Sequence, residues 1–444
     1  RDASATAIYG SKAANGVILI TTKKGTTEKP TIQFNSYAGT QDFLMTMDME
    51  TPEQYVQKRL NYQKTLAYRG VVPQPNLANP AQYLNTDEID NFEKGFTTDA
   101  LKKISQAAPI QSYNLSIGAK TARTNYYVAG SWTDQQGKVM GDQFKRASMR
   151  LNLETNITDW LKFGTNSSFA FVDVSNSPAN LNAAFQLSPY GRWYLDSAQT
   201  VLNPIPMTDG LVANPLLPTL NKLTNQRKDL FGIFYGEINV PFIQGLSYRF
   251  TYSNNIINRK EFNFTPSFNA GGLNRVSSAS DMTSESQDMY IENLVKYNRT
   301  FSNKHSIDAT FLYNYNYAHE NVVTASANTF PSDVLTYYSL SLGANQMSNA
   351  SYSDYRAIAM MARLNYKFKD RYLLTLTGRR DGASVFSENH KFAFFPSMAL
   401  GWVVSDESFL KNVSAVNFLK VRFSYGINGN QGINRYQSLS RIEP

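Results

Sequence analysis

Strand-like segments follow one another along most of this 444-residue chain, with apolar and polar side chains alternating at every second position. Each segment is near the roughly 9–11 residues with which a tilted strand crosses a bilayer. The chain is therefore predicted to be all-β. About 13 such segments can be placed, at residues 30–41, 111–119, 125–133, 147–157, 161–171, 230–242, 246–254, 290–298, 306–317, 355–368, 372–380, 394–404 and 418–428.

The connections between these segments alternate between short and long. Residues 120–124, 158–160, 243–245, 301–305 and 369–371 are short connections, whereas 42–110, 134–146, 173–229, 255–289, 318–354 and 381–393 are longer. A barrel with tight turns on one rim and elaborated loops on the other produces this alternation. Sandwiches and propellers do not require it. The pattern predicts a transmembrane antiparallel β-barrel, with its long outer loops at 42–110, 173–229, 255–289 and 318–354.

The two faces of the segments differ in polarity across their whole length. In the last segment, Leu419, Val421 and Phe423 alternate with Lys420 and Arg422. A polar face that continues along an entire strand indicates a water-filled lumen rather than a dry core. We therefore expect the apolar residues to face lipid and the two cations to face the lumen.

Composition is consistent with this prediction and argues against several other classes. Aromatic residues make up 13% of the chain, as in barrels with aromatic girdles, and no apolar run approaches the roughly 18 residues of a membrane helix. The net charge of +8 is not concentrated in a basic run, so a nucleic-acid partner is not expected.

Catalytic and metal-binding patterns are also missing from the sequence. With no cysteine and three scattered histidines, we expect no disulfide, no metal site and no cofactor. The acidic residues Asp87, Glu88 and Asp90 lie in a polar stretch and are predicted to be solvated rather than catalytic. The protein is therefore not expected to be an enzyme.

The first residues of the chain differ from the barrel-like remainder. The sequence DASATAIYGSKAANGVILITTKKG, residues 2–25, combines small helix-forming residues, a glycine turn and a continuous apolar run at 17–20. From residue chemistry alone this is a helix–turn–strand unit.

The amino-acid sequence of this stretch resembles the end of the plug domain in SusC/RagA-like TonB-linked outer-membrane proteins. The resemblance rests on an Asp-Ala-Ser-Ala run, a Tyr-Gly pair and an Ala-Asn-Gly turn, here Asp2, Ala3, Ser4, Ala5, Tyr9, Gly10, Ala14, Asn15 and Gly16. Residues 362–386, 395–409 and 419–431 are similar to barrel segments of the same family. The resemblance implies that 1–29 is the C-terminal end of a plug and that 30–444 is the N-terminal part of the barrel. Such barrels have about 22 strands, so about 13 would be present here and the sheet should be open at both edges.

The resemblance also implies a function. Proteins of this family import large nutrients, such as oligosaccharides or oligopeptides, across the outer membrane of Gram-negative bacteria. The implied partners are a SusD-like surface lipoprotein, outer-membrane lipid, and the TonB complex acting through a segment upstream of residue 1. Two alternatives stay open: a passive porin, and a structural or adhesive barrel without transport.

One aromatic stretch is the candidate ligand surface. Tyr190, Arg192, Trp193 and Tyr194 lie in the long central loop, and rings of this kind stack on sugars or anchor peptides. The alternative is that the rings only pack the loop onto its neighbours. In the first long loop, Thr51-Pro52-Glu53-Gln54 predicts the start of a helix that runs to about Leu66.

Overall fold

The computed structural model describes residues 10, 21–44, 48–207, 210, 212–270, 273–410 and 416–439. Thirteen strands form one antiparallel sheet, in which each strand pairs with its neighbours along the chain. The thirteen predicted strands all lie in this sheet, and a separate two-stranded hairpin is formed by β8 and β9. The strands are β1 Thr31–Thr40, β2 Pro109–Lys120, β3 Thr124–Gln136, β4 Gln143–Asn156, β5 Leu161–Asp173, β6 Lys222–Asn239, β7 Leu246–Thr265, β8 Phe268–Ala270, β9 Leu273–Arg275, β10 Ser278–Phe301, β11 His305–Asn328, β12 Asn345–Phe368, β13 Tyr372–Ala383, β14 Phe392–Val403 and β15 Lys420–Gly426.

The sheet has two free edges in the part of the chain that the structure describes. Its order begins at β1 and ends at β15, so the two strands lie at opposite ends of the sheet. This confirms the expectation of an open edge at each place.

Successive connections lie on opposite rims, because every pair of neighbouring strands is antiparallel. The turns at 240–245 and 369–371 therefore share one rim, and the long connection 174–221 lies on the other, as predicted. The tightest turns use left-handed backbone at two successive residues, Ser302 and Asn303 in one case and Lys369 and Asp370 in another. This conformation matches the twist of the flanking strands. The connection 404–419 is an exception, since it is long and lies on the short-turn rim.

Two of the predicted outer loops are largely strand. Most of 255–289 belongs to β7 and β10, and most of 318–354 to β11 and β12, so the loops shrink to 266–277 and 329–344. These four strands have 20 to 24 residues, more than a bilayer needs. Beyond the lipid both faces of a strand meet water. The apolar alternation that marks a strand in the sequence is then lost, although the backbone ladder continues.

The connections β1–β2 and β5–β6 carry the helices: α1 Pro52–Tyr68, α2 Thr86–Glu93, α3 Ala100–Ile104 and α4 Leu181–Gln186. The first confirms the predicted helix and extends two residues further. The Thr51 side chain accepts from Gln54 N–H and the Gln54 side chain accepts from Thr51 N–H, which completes the capping box.

Among the described residues, no helix combines the length and the apolar character that a membrane span requires.

Candidate functional site

The two faces of the sheet differ as the sequence predicts. Val421 and Phe423 of β15 line one depression with Leu400 and Trp402, whereas Lys420 and Arg422 line another on the opposite face. The second depression also contains Asp308 and Asn365 of the polar inner face. Leu419 lies just before β15, and its carbonyl accepts from Val404 N–H.

Large apolar side chains form a belt on the outer face. Phe169, Leu230, Phe234, Phe250, Phe311, Met360, Leu376 and Leu400 are all exposed, and they lie on strands from β5 to β14. An exposed apolar band of this extent needs a lipid environment. At the short-turn rim Phe368 and Tyr372 stack with their ring centroids 6.2 Å apart, as expected for an interfacial aromatic belt.

The chain preceding β1 lies on the inner face of the sheet. Gly25 N–H donates to Asn125 Oδ1 over 2.8 Å, and Asn125 Nδ2 donates to Gly25 O over 3.0 Å. A side chain at Gly25 would meet the Ala119 carbonyl oxygen at 2.2 Å, so only glycine permits this approach. Lys24 pairs with Glu154 over 3.3 Å.

Gly10 lies against a buried ion pair of the inner face. Arg379 Nε donates to Asp381 Oδ1 over 2.7 Å, and the two side chains are 7% and 4% exposed. A Cβ on Gly10 would lie 2.1 Å from Arg379 Nε, and the φ of Gly10 is +66°. The other plug-signature residues, Asp2, Ala3, Ser4, Ala5, Tyr9, Ala14, Asn15 and Gly16, lie outside the described residues, as does the apolar run 17–20. The assignment of 1–29 to a plug stays a prediction.

Three connections pack together above the sheet into what we call the outer-loop unit: the described parts of β1–β2, β3–β4 and β5–β6. Its main cluster joins Ile104, Ala184, Leu187 and Trp193. Backbone bonds connect the three segments, from Met140 N to Ile104 O, from Ala179 N to Met140 O and from Thr98 N to Pro189 O. The unit is thus one packed body rather than three independent loops.

The predicted aromatic residues take two different positions within this unit. Tyr190 and Trp193 are 7% and 5% exposed. Tyr190 packs edge-on against Phe92 with a centroid distance of 5.3 Å, and its carbonyl accepts from Asn91 Nδ2. These two rings pack the loop onto its neighbours, which is the alternative to ligand binding given by the sequence.

Arg192 and Tyr194 are more accessible. The Arg192 guanidinium donates to the carbonyl oxygens of Tyr194 and Leu195, and the Lys103 ammonium lies 5.1 Å from the Tyr194 ring centroid. Arg192 is exposed and Tyr194 is half-buried. A substrate-binding role for the four residues stays a prediction.

Glu88 departs from its prediction as a solvated acid. It is fully buried, accepts from the Tyr55 hydroxyl over 2.7 Å, and accepts from Asn85 N–H over 2.7 Å. Burial raises the pKa of Tyr55 to about 12, with Glu88 contributing to the rise. Because Tyr55 lies on α1 and Asn85 immediately precedes α2, the two hydrogen bonds of the Glu88 carboxylate join α1 to the start of α2. The Asn-x-x-Glu spacing of a capping box is the sequence signal that could have identified it.

An open cavity of about 990 Å³ lies beside these helices. Tyr55, Leu101, Phe185 and Leu187 supply apolar surface, and charges of both signs, including Lys58 and Asp99, line it as well. Such a mixed lining suits a ligand with both apolar and polar groups. Within the described ranges no three His, Cys, Asp or Glu side chains gather closely enough to hold a metal.

Comparison with known proteins agrees with this architecture. TonB-dependent receptor P26 of Formosa agariphila is 30% identical over 451 residues, which are 99% of this chain and 43% of that protein. TonB-dependent receptor P3 of the same organism is 29% identical over the whole chain and 42% of its own length. TonB-dependent receptor SusC of Bacteroides thetaiotaomicron is 27% identical over 98% of the chain. The chain thus spans less than half the length of these relatives.

A solved structure shares the fold. The RagAB peptide transporter superposes with a TM-score of 0.79 over 98% of this chain and 51% of that one, at 23% identity. No protein-family model matches the sequence. By its sequence similarity and fold the chain is SusC/RagA-like: it is similar to TonB-dependent receptors over nearly its whole length, and its sheet has the fold of part of a barrel wall.

Proposed function

We propose that this chain belongs to an importer that moves a large nutrient across the bacterial outer membrane with energy delivered by TonB. The observation that supports this most is the position of the chain before β1. Gly10 and residues 22–25 contact the polar inner face of the wall, where a passive pore would need free space. A segment held in the lumen is what a gated transporter requires.

In this proposal the outer belt, the inner face and the outer-loop unit have different roles. The apolar outer belt holds the wall in lipid, and the polar inner face offers hydrogen bonds to a hydrated cargo. The outer-loop unit is the proposed place of first contact, with Arg192 and Tyr194 meeting the ligand.

The proposed cargo is an oligosaccharide or an oligopeptide. Protein relatives of this type suggest a SusD-like lipoprotein over the outer rim and a TonB-contacting segment upstream of residue 1 in the complete protein. The proposed location is the outer membrane of a Gram-negative bacterium.

Uptake by the full-length protein tests the proposal. Cells carrying it are given labelled oligosaccharides or oligopeptides, with and without a protonophore. We expect accumulation to stop when the proton-motive force collapses, while surface binding persists. Uptake that continues would identify a passive porin, and surface binding without uptake in energised cells would identify an adhesive barrel.

Paired variants test the proposed contact residues. Arg192→Ala and Tyr194→Ala are expected to weaken ligand binding by about tenfold, as for loss of a charged hydrogen bond or a stacked ring. Tyr68→Ala is the matched control, because this ring is 89% exposed at the end of α1. Equal binding by all three variants would remove Arg192 and Tyr194 from the site.

A further inference from the structure

The outer face of β12 and β13 carries two arginines at the end of the apolar belt that lies far from the short-turn rim. Arg380 of β13 lies on the same face as Leu376, and it pairs across the sheet with Met360 and Phe394. Arg356 of β12 lies on the same face as Met360, because an even number of residues separates the two. We call Arg356 and Arg380 the outer arginine pair.

Arg380 has no anionic partner in the part of the chain that the structure describes. The residue is exposed, and its guanidinium Cζ lies 4.6 Å from the centroid of the Phe392 ring. The neighbours on this face, Met360, Phe392 and Phe394, are apolar and exposed as well. A charge on an apolar, lipid-facing surface needs a counter-ion, because hydrocarbon does not solvate it.

Arg356 has more contacts but still presents a charge to the outside. Its Cζ lies 5.4 Å from the centroid of the Tyr317 ring, and its Nε lies 3.4 Å from Asp354 Oδ2. The Tyr317 and Tyr352 hydroxyls are hydrogen-bonded over 3.0 Å, which restrains the ring that the guanidinium contacts. The Arg356 side chain stays 62% exposed. Among the described residues, one carboxylate thus pairs with two guanidinium groups, which leaves a net positive charge.

The height of the two arginines corresponds to the outer boundary of the membrane. Arg380 lies eight residues from Tyr372 along β13, and Arg356 lies twelve residues from Phe368 along β12. At about 3.3 Å per residue and a tilt of about 40°, Arg380 and Arg356 lie roughly 20 Å and 30 Å from the short-turn rim. An apolar band about 25 Å tall ends between them. Since short turns face the periplasm in such barrels, this boundary holds the headgroups of the outer leaflet.

We propose that the outer arginine pair binds the phosphate group of an anionic lipid in the outer leaflet. Arg380 donates to the phosphate oxygens from the edge of the apolar belt, and Arg356 contacts the same headgroup from the aqueous side. Phe392 and Phe394 contact the acyl chains. A guanidinium fork matches phosphate oxygens, and the attraction is stronger where water is scarce. The site requires only that the wall lies in lipid, so it does not depend on import.

Lipid binding by the purified full-length protein tests the site. The protein in neutral detergent is titrated with phosphatidic acid, and bound lipid is counted by native mass spectrometry. We expect Arg356→Gln with Arg380→Gln to weaken the tightest binding by about tenfold or more, as for loss of charged hydrogen bonds. Arg363→Gln is the matched control, because Arg363 lies on the opposite face of β12 and donates to Asn365. Equal binding by the double variant and the wild type would overturn the proposal.

Two further titrations identify the ligand. Phosphatidylcholine, which has no net charge, is expected to bind at least about tenfold more weakly than phosphatidic acid. Inorganic phosphate in excess is expected to leave phosphatidic acid bound, because it makes none of the acyl-chain contacts with Phe392 and Phe394. Equal binding of the two lipids would contradict an anionic ligand. Displacement by inorganic phosphate would assign the pair to a free anion and refute the lipid.

A tryptophan beside the pair tests where the lipid binds. Phe394→Trp places an indole next to Arg380, and its fluorescence is measured as the difference from the parent protein. In vesicles, phosphatidic acid with brominated chains is expected to quench this tryptophan more strongly than brominated phosphatidylcholine at the same mole fraction. Arg380→Gln should remove the difference, while heat-modifiable mobility on gels verifies that the variant is folded. Equal quenching by the two lipids with Arg380 present would refute the site.

Discussion

Single residues decide how the outer-loop unit holds together. Glu88 is the clearest case, because one carboxylate satisfies both the Tyr55 hydroxyl and the Asn85 N–H in a site without solvent. A buried polar group with both partners present is stable, whereas removal of one partner leaves the others without compensation. The polar sequence around Glu88 predicts a solvated acid. That description fits the neighbouring Asp90, which is a surface residue paired with Lys94.

We predict that Glu88→Ala destabilises the α1–α2 contact by about 1–3 kcal/mol, because the buried Tyr55 hydroxyl and the part-buried Asn85 N–H lose their acceptor. Hydrogen exchange over residues 52–93 measures this as faster exchange in both helices. Asp90→Ala is the control, and its effect should stay within about 0.5 kcal/mol, as for an exposed ion pair. Similar exchange in the two variants would contradict the role of Glu88.

At the scale of elements, most of the fold could be predicted from two alternations: apolar with polar side chains along each strand, and short with long connections between strands. Thirteen strands, their order and their rims follow from side-chain period and connection length, because the bilayer requires one apolar face from every strand. The upper parts of β7, β10, β11 and β12 could not be found this way, since no lipid contacts them. For Tyr190 and Trp193 the sequence offers burial only as an alternative to ligand binding, because burial there depends on segments far apart in sequence.

The face assignment yields a test at one strand. Leu376 of β13 is exposed on the apolar belt, four residues along the strand from Tyr372 at the short-turn rim. Leu376→Arg should cost about 2–4 kcal/mol if this position lies near the membrane midplane, measured as folding into lipid vesicles. Val421 pairs with Trp402 closer to the rim, so Val421→Arg should cost less.

Thr375→Arg supplies the control, since Thr375 lies beside Asn365 on the polar inner face of the same strand. We expect this variant to fold like the wild type. If both arginines were tolerated equally, the assignment of the two faces would be wrong.

At the scale of the molecule, the wall and the outer-loop unit are stabilised by different forces. The wall is held by continuous backbone ladders, while the unit is held by a small apolar core around Ile104 and Trp193. The two parts should therefore respond separately to a core substitution.

We predict that Trp193→Ala destabilises the outer-loop unit by about 3–5 kcal/mol and leaves the barrel wall folded. Limited proteolysis should then cut within 48–108 and 174–221, while the barrel keeps its heat-modifiable mobility on gels. Phe185→Ala is the control, because that ring is 48% exposed on α4. Loss of the folded barrel in the Trp193 variant would show that the two parts form one cooperative body.

The unequal lengths of the strands give the mouth of this wall a slope. Strands β10, β11 and β12 have 24 residues each, against 12 to 14 in β2 to β5. At about 3.3 Å per residue and a tilt of about 40°, the difference in height is roughly 25–30 Å, nearly another membrane thickness. Strands β10–β12 thus extend far above the part of the rim formed by β2–β5, which carries the outer-loop unit. A large ligand that approaches over β2–β5 would contact the outer-loop unit first and would be blocked from passing further by the extended strands opposite.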